Sequence, residues 1–77
     1  MTAREMFEDL GFEYQEDNYY ISYNKKTYSY MGLDFDNNIY FNKKDKYYKA
    51  YSDYSLLEID MLTTQAIIKQ CEELGWL

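Results

Sequence analysis

Between Tyr19 and Tyr51, short segments such as Tyr19–Tyr23, Leu33–Phe35 and Ile39–Phe41 set large apolar side chains at every second position, a period that belongs to half-buried strands and not to a helix. Tyr19, Ile21 and Tyr23 share one side of such a strand, with Tyr20 and Ser22 on the other. Asn24-Lys25-Lys26 then reads as a turn, Tyr28-Ser29-Tyr30-Met31 resumes in strand-forming residues, and Leu33-Asp34-Phe35 carries the alternation to a second turn signal at Asp36-Asn37-Asn38. Ile39-Tyr40-Phe41 alternates again, Asn42-Lys43-Lys44-Asp45 turns, and Tyr47 to Tyr51 supplies a last strand. Gly32 marks either a bulge or a break in the long second strand. Connections this short favour an antiparallel meander.

A sheet with one apolar face needs a cover, and the two ends of the chain provide it. Thr2-Ala3-Arg4-Glu5 has the form of a capping box, and Ala3, Met6, Phe7 and Leu10 follow on one helical face. Gly11 stands where a left-handed residue ends a helix, with Phe12 placed to fold back on the last turn. The C-terminal segment repeats this grammar. Asp60 is the expected N-cap, Ile67, Ile68, Cys71 and Leu74 form the stripe, Gly75 stops the helix, and Trp76 covers its end. Ser52 to Ile59 reads either as a loop whose Tyr54, Leu56 and Leu57 plug the core or as an extra helical turn. The predicted fold is α+β, a four-stranded antiparallel meander covered on one face by an N-terminal and a C-terminal helix, in the order α-β-β-β-β-α. Its expected core is Met6, Phe7, Leu10, Ile21, Tyr23, Tyr30, Leu33, Phe35, Ile39, Phe41, Ile67, Ile68, Cys71, Leu74 and Trp76.

Seventy-seven residues make a single domain, 1–77. Such a chain buries only about 63% of its extended surface, which allows one thin core. Eleven tyrosines exceed what that core can hold, so many belong at its margin or on the surface. With no His and one Cys, a Cys/His metal cluster and an internal disulfide are both excluded, and a reducing interior is the simpler setting. No apolar run approaches the ~18 residues of a membrane span, and the N-terminus does not read as a signal peptide, so the cytoplasm is the expected compartment and no membrane partner is expected.

Candidate chemistry is sparse. Cys71 lies on an apolar stripe beside Glu72 and Glu73, the opposite of the electropositive setting a nucleophilic thiol needs. Asp34, Asp36 and Asn38 alternate oxygen donors as a calcium loop does, but Ile39 stands where that loop needs Gly and Asp45 where it needs a bidentate Glu. Gly11, Gly32 and Gly75 are isolated and make no phosphate loop. The expectation is therefore a protein that is not an enzyme and has no cofactor or metal.

Charge instead separates two surfaces. The net charge is −6, with acids crowding both ends and six lysines among residues 21 to 51. Glu5, Glu8, Asp9, Glu72 and Glu73 form a candidate acidic docking face on the helices, suited to a basic protein. Tyr20, Tyr28, Tyr40 and Tyr48 with Lys43, Lys44 and Lys46 form a candidate sheet face, suited to a protein partner or to a homodimer. Aromatic rings beside lysines also suit a single-stranded nucleic acid, the alternative reading, but the overall charge and the absence of arginine from this region oppose tight binding.

The segments Met1-Thr-Ala-Arg-Glu-Met-Phe-Glu-Asp-Leu-Gly-Phe12, Ile59-Asp-Met61 and Ala66-Ile-Ile-Lys-Gln-Cys-Glu-Glu-Leu-Gly-Trp76 resemble the two ends of small uncharacterised proteins encoded by phages and prophages of Gram-positive bacteria. The resemblance covers roughly a third of the chain, and Leu62 and Thr63 depart from it where those proteins often carry acids. It implies a mobile-element accessory protein in a bacterial host cytoplasm, acting by protein–protein interaction, with inhibition of a host defence protein as one activity it suggests. It carries over no catalytic or ligand-binding residue.

Overall fold

A computed structural model describes residues 1–28, 32, 34–53 and 58–77. The chain runs α1 (Ala3–Asp9), β1 (Glu13–Glu16), β2 (Tyr20–Tyr28), β3 (Asp34–Asn42), β4 (Tyr47–Ser52) and α2 (Met61–Glu73). The strands form one antiparallel sheet in the order β1-β2-β3-β4. Tyr14 lies opposite Tyr23, Tyr23 opposite Ile39, and Ile39 opposite Ala50. Opposed residues share a face, so this register puts Ile21, Tyr23, Ile39 and Phe41 under the helices, where they join Phe7, Ala66, Ile67 and Cys71 in one core. The predicted α-β-β-β-β-α fold is the observed one.

Both helices begin and end as their sequences require. The Thr2 hydroxyl accepts from the Glu5 N–H at 3.1 Å while Glu5 accepts from the Thr2 N–H at 2.9 Å, closing the capping box. Asp60 accepts from the Thr63 N–H at 2.7 Å. At the far ends, Gly11 and Gly75 take φ of 95° and 77°. Their N–H groups reach Glu8 and Glu72, and those of Phe12 and Trp76 reach Phe7 and Cys71, so both helices close in Schellman motifs.

The strands differ from their predicted boundaries. β1 falls in a segment given no strand in the prediction, and Asn24-Lys25-Lys26 and Asp36-Asn37-Asn38 are the middles of β2 and β3 and not turns. Each turn-forming residue instead has a cross-strand partner. Asn24 donates to Asn38 Oδ1 at 2.8 Å, and Asn37 donates to the Lys25 carbonyl and to Thr27 Oγ1. The Lys25 stem lies against Gly11 with its ammonium over the Phe12 ring, and Lys26 stands opposite Asp36. Between β2 and β3, Gly32 has φ 77°. The third turn is as expected: Asn42 Oδ1 accepts from the Lys44 and Asp45 N–H groups.

The core is a cluster of rings drawn from nearly every element. Phe7 of α1 stacks on Tyr23 of β2 with centroids 3.8 Å apart, and meets Phe12 and Phe41 edge to face. Tyr14 packs on Tyr23, and both Tyr48 and Trp76 on Phe41. The Tyr23 hydroxyl donates to Gln70 Oε1 at 2.6 Å, a buried bond that joins sheet to α2. Ile68, expected in the core, is 45% exposed. The buried stripe of α2 runs through Thr63, Ala66, Ile67, Gln70 and Cys71, and its small and polar members place Ile68 off that face. Tyr30 and Leu33, also expected in the core, and Tyr54, Leu56 and Leu57 lie outside the described residues.

Two measurements check this core. Phe7→Ala removes a fully buried ring and should cost about 3–5 kcal/mol, seen as a large drop in thermal midpoint by circular dichroism. Burial also raises the Tyr23 phenol's pKa well above the tyrosine range, helped by Tyr14 and Glu73. The folded state therefore keeps a proton that the unfolded chain releases near about pH 10, so this stabilisation is complete below that pH and is lost as pH rises further. Tyr23→Phe should flatten the alkaline decline in stability while costing about 1–3 kcal/mol at neutral pH, because Gln70 loses its donor.

Candidate functional site

The face of the sheet away from the helices carries a row of tyrosines. Tyr20 of β2, Tyr40 of β3 and Tyr51 of β4 follow one another edge to face, with ring centroids 5.5 Å and 5.8 Å apart. Their order follows from register: Ser22 lies opposite Tyr40, and Asn38 opposite Tyr51, so the rings step diagonally across three strands. Beside Tyr40 and Tyr51, Gln15, Ser22, Asn24 and Asn38 help line a groove of about 410 Å³. The rings thus border a band of amide and hydroxyl groups, an apolar surface with hydrogen-bonding rims.

Asn42 fixes one end of the row. Its side chain amide donates to the Tyr47 hydroxyl at 3.2 Å and the Tyr20 hydroxyl at 3.5 Å, while its oxygen holds the β3–β4 turn. The neighbouring Tyr47 phenol raises the pKa of Tyr20. Lys43 pins the same end to β1, with its ammonium 2.9 Å from Glu16 and 2.6 Å from the Asp17 carbonyl. Glu16 also accepts from the Tyr14 hydroxyl, and these two partners hold its carboxyl below the usual range.

Of the predicted sheet-face residues, Tyr20 and Tyr40 lie in the row and Tyr28 stands at the far end of β2, highly exposed. Tyr48 is on the other side. It pairs with Phe41, which faces the helices, so its ring lies at the edge of the core. Lys44 and Lys46 are exposed in the β3–β4 turn, and Lys43 is spent on Glu16 and Asp17. Tyr47, Lys49 and Tyr51 take the places that Tyr48 and the turn lysines were expected to fill. Parity along β4 groups these three together, and the turn at Asn42 decides which side they take. With Glu13, Asp34 and Asp36 beside Lys26 and Lys49, the face is not basic.

The acidic candidates lie on two helices that pack side by side, but three of the five are already engaged. Glu5 closes the capping box, Glu8 pairs with Arg4 at 3.4 Å, and Glu73 accepts from the Ala3 N–H at 2.8 Å. Asp9 and Glu72 are exposed. Asp36, Asn38 and Asp34 share the outer face, where Asn38 Oδ1 is taken by Asn24 and Asp36 stands opposite Lys26. Among the described residues no cluster of three or more His, Cys, Asp or Glu is placed to hold a metal ion. Burial pushes the Cys71 thiol up, away from the thiolate. No helix among the described residues is long and apolar enough to cross a membrane.

Glu73→Ala should cost about 1 kcal/mol by leaving the first N–H of α1 without its acceptor, whereas Glu72→Ala should change stability by less than about 0.5 kcal/mol. Paired urea titrations of the two variants measure the difference. Comparison with protein families, with curated proteins and with solved structures finds no match to this chain.

Proposed function

We propose that the protein works by docking its tyrosine-rich sheet face onto another protein, as an accessory factor with no chemistry of its own. The observation that carries this reading is the edge-to-face row Tyr20–Tyr40–Tyr51 on the side of the sheet the helices leave uncovered. Tyrosine brings large contact area at low entropic cost and dominates the energetic centres of protein interfaces. Here the rings brace one another and are tied at one end by Asn42, so little ordering remains to be done on binding. A patch of roughly 800 Å², the share of one partner in a standard interface, fits on a sheet of this size.

The resemblance of the chain ends to phage and prophage proteins supports a setting in a bacterial host cytoplasm, with a host or phage protein as the partner and inhibition of a defence protein as one outcome. The acidic helices add long-range steering toward a basic partner. The sheet face is not basic, which favours a protein over a single-stranded nucleic acid.

Tagged wild-type protein and the double variant Tyr40→Ala, Tyr51→Ala should be compared by affinity purification from a bacterial lysate, with nuclease treatment in parallel. A stoichiometric protein retained after nuclease by the wild type alone is the expected outcome, with at least a roughly 30-fold loss of affinity in the variant. Recovery of nuclease-sensitive material only, or equal recovery by both proteins, defeats the reading.

A further inference from the structure

We propose that the protein pairs with a second copy of itself along the free edge of β4, joining two four-stranded sheets into one. The direction of the backbone groups carries the argument. The Lys43 N–H donates to the Tyr19 carbonyl at 2.8 Å, in the register that sets Tyr20 opposite Asn42. Hydrogen-bonded pairs alternate along an antiparallel ladder. Ile39 and Phe41 therefore turn their backbone groups to β2, and Asn38, Tyr40 and Asn42 turn theirs to β4. The β4 partners of those three are Tyr51, Lys49 and Tyr47. The N–H and C=O groups of Tyr48, Ala50 and Ser52 consequently point out of the sheet, and no backbone bond outside the ladders reaches them from the described residues.

The two edges of the sheet are not alike. β1 has four residues, two of them Glu13 and Glu16, and its brevity and charge discourage pairing. β4 has six, pairs with β3 without a bulge, contains no proline, and carries Lys49 as its one charge. Among the described residues, Lys49 is the one usual guard on this edge.

Of the two registers centred on the middle of this strand, Lys49 or Ala50, one suits a second copy. Opposed residues must share a face, so a two-fold axis normal to the sheet passes through a residue paired with itself. An axis at Lys49 would oppose two ammonium groups in a close, non-hydrogen-bonded pair. An axis at Ala50 sets the smallest side chain of the strand against itself and pairs Tyr48 with Ser52 on the helical side. On the outer side it brings Lys49 over Tyr51 of the other copy, a cation beside a ring. Every outward group of Tyr48, Ala50 and Ser52 then finds a partner. The net charge of −6 on each copy opposes the approach, so salt should strengthen it.

Such an edge contact is small, so association is expected between about 10 µM and 1 mM protein. Sedimentation velocity over that range should show a monomer–dimer equilibrium that tightens with added salt. Amide exchange by NMR should show protection at Tyr48, Ala50 and Ser52 rising by about tenfold across the series, with the outward amides of β1, Tyr14 and Glu16, unchanged. Ala50→Pro removes one outward N–H, a change tolerated on a free edge, and should give a monomer with a near-native melting curve. The wild-type exchange data decide the matter should that variant unfold. A monomer throughout, a dimer whose protected amides lie elsewhere, species larger than a dimer from head-to-tail pairing of β4 with β1, or association weakened by salt would each overturn the proposal.

Discussion

The stack of Phe7 on Tyr23 holds this small domain together. It joins α1 to the central strand β2, and the same Tyr23 reaches α2 through its hydroxyl on Gln70. Neither helix is stable on the strength of its own hydrogen bonds, least of all the seven residues of α1. Their permanence comes from this one ring pair and the aromatic side chains gathered around it. A domain with one thin core has no second layer to absorb a loss there, so burying a phenol at its centre is tolerable because Gln70 accepts the hydrogen bond of its hydroxyl.

The ends of the chain were legible and its middle was less so. Capping boxes, N-caps and Gly-aromatic stops are local devices whose meaning is set within five or six residues, and both helices obey them to the residue. Asn24, Asn37 and Asn38 illustrate the opposite case. Their side chains fit a turn as well as a ladder, and what decides between them is a partner on another strand. β1 escaped notice for a related reason: Glu13-Tyr14-Gln15-Glu16 is polar on one side and contributes a single ring to the core, too little to announce a strand.

The outer face of the sheet shows the same division. That surplus tyrosines would gather on an uncovered sheet face follows from composition, and Tyr20 and Tyr40 could be assigned by parity. Tyr48 could not be, because Tyr47-Tyr48 offers two rings in succession and only the turn at Asn42 settles which of them faces the helices. The acidic helical surface read plausibly as a charge cluster. Two of its members also serve a helix end, Glu5 in the capping box and Glu73 at the first N–H of α1, while Glu8 pairs with Arg4 and Asp9 and Glu72 stay exposed.

The meander also bears on how quickly this chain can find its fold. Every strand pairs with its neighbour in sequence, so the whole sheet assembles through short loop closures, and no proline imposes a slow isomerisation. The costly closure is the meeting of α1 with α2, exemplified by Glu73 reaching Ala3 from the opposite end of the chain. While a ribosome still holds the segment that becomes α2, α1 and the sheet can form but the part of the apolar face that α2 covers lies bare. The search ends only when α2 emerges and folds over it.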